Sequence, residues 1–183
     1  MRHGGNVWEG QPADWLDFSA NLRPEGTPAW VMDTMRAALS QACYYPDRAM
    51  RAARAGLALY LGVDENCVLP TAGGAAAIDL TLGVRRGAMH VQQPTFGEYA
   101  ERAKAHGRRM AANQAIQADD TVVICNPNNP TGTLLSPNDV LRMHRDVRNS
   151  GGELIVDEAF IDYCPDATVR HHVQDGLTVV GSL

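Results

Sequence analysis

Lysine is almost absent. Of sixteen lysines and arginines in the 183-residue chain, fifteen are arginine and Lys104 is the one lysine. It sits in EYAERAKAHG, a charged amphipathic stretch, and reads as a solvated helical position. Cysteine is scarce too: Cys43, Cys67, Cys125 and Cys164 are scattered, with no C-x-x-C and no Cys/His pair at metal spacing. This argues against a disulfide framework and a bound metal, and suits reduced thiols in a cytoplasmic protein. His171 and His172 are adjacent but lack further ligands nearby in sequence, so they read as solvated surface. No window holds the ~18 apolar residues of a membrane span. The first ten residues, MRHGGNVWEG, lack the apolar centre of a signal peptide. The net charge is −5, without a dense basic patch, so nucleic acid is not an expected partner. Repeats and low-complexity tracts are also missing.

What is present is alternation. The length suits one sizeable core. Residues 1–27, rich in Gly, Pro, Asn and Trp, read as an irregular arm, and residues 28–183 as the globular part. Helices are predicted at 28–42, 48–61 (closed by Gly62), 73–82, 96–106 (ended by Gly107) and 136–149. Ser136 suits an N-cap and Pro137 a first helical position. Strands are predicted at 67–70, 88–92, 109–113, 121–125, 153–156 and 177–180, with TVVIC at 121–125 the clearest buried run. Helix and strand alternate, so the fold class is α/β with a mostly parallel sheet. Ligands in such sheets sit beyond the carboxyl ends of the strands.

Three strand-end loops carry chemistry. Thr71-Ala72-Gly73-Gly74-Ala75 opens a helix, where free backbone N–H groups favour an anion. Alone, it reads as a plain glycine turn, and it lacks the G-K-[ST] of a Walker A loop. Asn126-Pro127-Asn128-Asn129-Pro130-Thr131-Gly132 follows TVVIC. Its prolines restrict the backbone and its asparagines offer amides, so it reads either as a linking turn or as a rigid mount presenting Asn129. Asp157 and Glu158 follow the apolar Leu154-Ile155-Val156. A carboxylate there can meet a ligand cation, or merely cap a turn.

NPNNPTG after one strand and VDEAF after the next, in that order, resemble the fold-type I pyridoxal phosphate (PLP) enzymes of the class I/II aminotransferase superfamily. The resemblance covers essentially the whole chain. It is strongest to the branch holding histidinol-phosphate aminotransferase and the threonine-phosphate decarboxylases of cobalamin synthesis, through HGGN at 3–6, LDFSAN at 16–21, YPD at 45–47 and DEAFID at 157–162. It implies a three-layer α/β/α large domain with strand order 3-2-4-5-6-7-1.

The resemblance also implies roles. Asp157 matches the carboxylate beside the pyridine nitrogen of PLP, and Asn129 the amide that bonds the ring's 3-oxygen. Gly73, Gly74 and Ala75 match the phosphate cup, and Phe96, in PTFGEY, the aromatic stacked on the ring. Tyr45 matches a residue that reaches the cofactor phosphate of the other subunit in a homodimer. His3 and Asn21 match a segment that closes over a phosphorylated amino acid substrate. The implied activity is decarboxylation of threonine phosphate, or aminotransfer on histidinol phosphate. Phe160 stands where the aminotransferases usually carry tyrosine, which tilts the reading toward decarboxylase. Arg23 and Glu25 depart from the branch's usual Asn-rich run. The covalent lysine of the family would follow Leu183, so no residue of this chain is expected to fill that role, and the chain reads as an N-terminal piece of the large domain. A non-catalytic remnant that binds a partner or a phosphorylated ligand is the reading from another class.

Overall fold

The computed structural model describes all residues except 1–3, 9, 12, 13, 112, 113 and 175. The chain forms two compact units, Met1–Ala49 and Met50–Leu183. The first contains helix α1 (Ala29–Ala38), which starts directly after Pro28 and runs into a short 3-10 turn, Leu39–Gln41. No residue of α1 is buried.

The second unit holds four parallel strands: β1 (Met89–Val91), β2 (Thr121–Cys125), β3 (Glu153–Asp157) and β4 (Leu177–Val180), in that spatial order. Parallel neighbours need crossovers, and helices supply most of them. Helices α2 (Arg51–Leu61) and α3 (Gly74–Val84) precede β1. Helix α4 (Glu98–Ala105) joins β1 toward β2, and α5 (Pro137–Asn149) joins β2 to β3. Gly62 ends α2 in the left-handed region, at φ 67°, as its C-cap position favours. Ser136 caps α5 by accepting from the Asp139 N–H, and Pro137 follows it. The sheet has a core on each face. One face gathers Ile78, Leu82, Met89, Tyr99, Val123, Ile155 and Val180, and the other Val140, Val147, Leu154, Val156 and Leu177.

The strand predicted at 67–70 is corrected. Cys67 closes a 3-10 turn, Glu65–Cys67, and Val68 is extended at φ −110° and ψ 128°. Among the described residues no strand lies beside this segment, so extended backbone there makes no ladder. Near residues 109–113, Met110 makes one parallel bridge to Met89, extending the sheet beyond β1. With that bridge the order agrees with the 3-2-4-5-6 portion of the expected arrangement.

Candidate functional site at the carboxyl edge of the sheet

Because all four strands are parallel, their carboxyl ends share one edge. The loops holding Phe96 and Asn129, and the end of β3 holding Asp157, lie on that edge. The start of α3 lies there too: a Cβ built on Gly74 would stand 4.0 Å from the carbonyl oxygen of Gly181, just past β4.

Asp157 is the last residue of β3 and is 4% exposed. Its Oδ2 accepts from the Tyr99 hydroxyl at 2.6 Å, and its Oδ1 from the Ala159 N–H at 3.0 Å. Burial raises its pKa from the ordinary carboxylate value, while both donors pull it back down by favouring the charged form. Burial and the neighbouring carboxylate push the Tyr99 hydroxyl far up, so it remains a donor. Glu158, one residue on, serves a different region. Its carboxylate accepts from Thr168 Oγ1 at 2.6 Å and from the Val169 N–H at 2.7 Å, which ties down the segment before β4. The DE pair therefore divides its work: Asp157 meets the α4 side, and Glu158 holds a loop.

The three asparagines also divide. Asn126 is fully buried and bonds both backbone groups of Leu135, accepting from its N–H at 2.8 Å and donating to its carbonyl at 3.2 Å. Asn128 spends its amide on Thr95, Pro94 and Thr131. Asn129 is half-buried, and among the described residues its side-chain amide bonds no protein group. Two of the amides are spent on neighbouring groups, and the Asn129 amide is not.

At α3, Gly73 takes φ 83° and ψ 170°, in the left-handed range that glycine tolerates, and no side chain caps the helix. Thr71 Oγ1 donates to the Gly73 carbonyl at 2.9 Å. Acidic residues are absent from the first turn, so no carboxylate of that turn competes for the free N–H groups of this 11-residue helix. Gly73 and Gly74 line a cavity of about 360 Å³ with Thr71, Gly181 and Ser182. Ala75 beside them is exposed.

Phe96 is half-buried and meets Tyr99 edge to face, with ring centroids 5.6 Å apart. Asn21 and Tyr45 belong to the Met1–Ala49 unit, where both are exposed, Tyr45 to 99%. That unit joins two of the quoted motifs: the Gly5 N–H donates to Ser19 Oγ at 2.8 Å, and Ser19 Oγ donates to Asp17. His3 lies outside the described residues. Lys104 is exposed on α4, as its charged surroundings predict.

Tyr99 is the residue that sequence reasoning missed. PTFGEY was read for Phe96 alone. The available signal was an aromatic three residues beyond Phe96, in a helix whose other positions are mostly charged or small.

A family model described as aminotransferase class I and II matches residues 13–183. Threonine-phosphate decarboxylase from Sinorhizobium sp. is 35% identical, over 93% of this chain and 54% of its own length. Histidinol-phosphate aminotransferase 1 from Pasteurella multocida is 31% identical, over 68% of this chain and 40% of its own. The chain thus spans about half the length of the curated relatives it matches, or less. The crystal structure of histidinol-phosphate aminotransferase from Sinorhizobium meliloti, a complex with pyridoxal-5'-phosphate, superposes with a TM-score of 0.74 at 19% identity, over 88% of this chain and 49% of that one. The family match takes in every strand of the sheet and every loop at its carboxyl edge. The chain therefore belongs to the class I and II aminotransferase family.

Proposed function

We propose that this chain supplies the cofactor cradle of a PLP-dependent enzyme that decarboxylates threonine phosphate. The observation that carries the cofactor reading is Asp157: a carboxylate nearly out of solvent, at the end of a central parallel strand, with a donor on each oxygen. Such a group suits a cationic ring nitrogen, whose charge would offset the cost of burial. The rest of the donor set fits the same molecule. The start of α3 offers backbone N–H groups to a phosphate, the unengaged Asn129 amide suits a ring oxygen, and Phe96 suits a ring face. Bound there, PLP supplies an electron sink for a bond at the substrate's α-carbon. The chain's own residues bind and orient. Asp157 holds positive charge at the ring nitrogen, and Tyr99 and Ala159 hold Asp157.

Similarity to the Sinorhizobium threonine-phosphate decarboxylase supports this substrate, as does Phe160 three residues after Asp157. Similarity to the Pasteurella aminotransferase supports histidinol phosphate as the second reading. His3 and Asn21 are assigned to the phosphorylated substrate. Tyr45 is assigned to the cofactor phosphate across a homodimer, consistent with its exposure. The arm assignment, residues 1–27, belongs to the same proposal.

The test is an assay of the purified protein carrying this sequence, with PLP and either threonine phosphate or histidinol phosphate. With the family's covalent lysine present in the protein assayed, carbon dioxide release from threonine phosphate is the expected result. Aminotransfer from histidinol phosphate, without that release, would favour the second reading. Absence of PLP binding would defeat both.

A further inference from the structure

The ladder between β1 and β2 ends at Val91 and Val123. There β1 ends, β2 runs on beside β3 to Cys125, and each is followed by a loop, one carrying Phe96 and the other Asn129. One side chain ties these loops together. Asn128 Oδ1 accepts from Thr95 Oγ1 at 2.6 Å, and its Nδ2 donates to the Pro94 carbonyl at 3.0 Å and to Thr131 Oγ1 at 2.8 Å. Its backbone is held as well: the Asn128 N–H donates to the Thr133 carbonyl, and its carbonyl accepts from the Gly132 N–H. Both amide hydrogens and the amide oxygen are engaged. The amide can face only one way, because the Pro94 carbonyl is purely an acceptor and must meet the NH2. Thr95 is 9% exposed, so its hydroxyl has little access to water as a substitute partner.

Thr95 immediately precedes Phe96, and Asn128 immediately precedes Asn129. We propose that Asn128 is a positioning residue whose bonds to Pro94 and Thr95 set the separation between Phe96 and Asn129. It replaces the backbone ladder past the point where that ladder stops. This rests on the cofactor reading above for its consequence, but not for its geometry.

Two arms test it on the protein carrying this sequence. In the cofactor-free protein, amide NMR shifts should move at residues 95–97 in Asn128→Asp, and at 128–129 in Thr95→Val. Each substitution lies on the opposite loop from its readout. Thr95→Ser keeps the hydroxyl and should restore the wild-type shifts. In the second arm, PLP titration should show roughly tenfold weaker binding for Thr95→Val and Asn128→Asp, the effect of one lost hydrogen bond of ordinary strength. Thr95→Ser should bind within about twofold of wild type, since the hydroxyl remains. If cross-loop shifts are missing, the clamp is wrong. If they appear but both variants bind PLP as wild type does, the positioning role is wrong. If wild type itself binds no PLP, the cofactor reading fails, while the first arm still decides the clamp.

Discussion

The Tyr99 hydroxyl stands 2.6 Å from Asp157 Oδ2, and neither residue is more than 4% exposed. It joins the helix after β1 to the end of β3, two strands away. A hydrogen bond to a buried charge is worth about 1.5–3 kcal/mol. Tyr99→Phe keeps the ring and its packing on Phe96 but removes the donor. It should cost about 2 kcal/mol at neutral pH by urea denaturation. In an Asp157→Asn background the cost should shrink, because the charged partner is gone. Equal costs in both backgrounds would mean that the bond contributes nothing specific.

Asp157→Asn should stabilise the cofactor-free protein as pH rises. Burial raises the Asp157 pKa above the ordinary carboxylate value. A carboxyl raised in the folded state contributes stability while protonated, below the unfolded value. That contribution is lost as pH climbs through the folded value. Wild type should therefore lose ground to the asparagine variant between about pH 4 and neutrality. Denaturation midpoints at both ends of this range check it. The same variant should lose PLP binding, so stability and function should move in opposite directions.

Glu158 offers a contrast within one dipeptide. Glu158→Ala would leave the buried Val169 N–H without its acceptor, at a cost of roughly 1–3 kcal/mol. Glu158→Gln keeps an acceptor oxygen and removes a carboxylate whose pKa burial raises, so it should be near neutral or stabilising at pH 7. Thermal melts of the two variants should separate clearly. Similar melts would show that the Thr168 and Val169 bonds do not hold the segment.

Arg108 anchors the opposite edge of the sheet. Its guanidinium donates to the carbonyls of Leu82, Gly87 and Ala88 and to Thr121 Oγ1. Arg108→Lys retains the charge but cannot fan out to four acceptors. It should cost about 2 kcal/mol or more in chemical denaturation, from the side-chain hydrogen bonds lost in a largely buried site. A change within experimental error would mean that water replaces the lost donors.

The elements of the fold were largely legible in the sequence because their causes are local. A Ser-Pro pair starts α5, Gly62 ends α2, and TVVIC can bury both faces only as an inner strand. NPNNPTG and VDEAF marked the chemically loaded loops for the same reason: proline, asparagine and glycine restrict the chain that contains them. Pairing is not local. CVLP has an extended character, yet a strand exists only where a neighbour offers a ladder, and among the described residues nothing offers one to 67–70. Nor could spacing along the chain separate Asp157 from Glu158, or show that the Asn126 and Asn128 amides are spent while that of Asn129 is not. Which carboxylate meets Tyr99, and which amide stays unspent, depends on side chains reaching across from other strands. The sequence by itself determined where turns, caps and buried runs fall, through backbone preferences and hydrophobic burial. Only the tertiary structure decided which polar groups are consumed in holding the site and which remain to bind, because hydrogen bonds are allotted by distance in space.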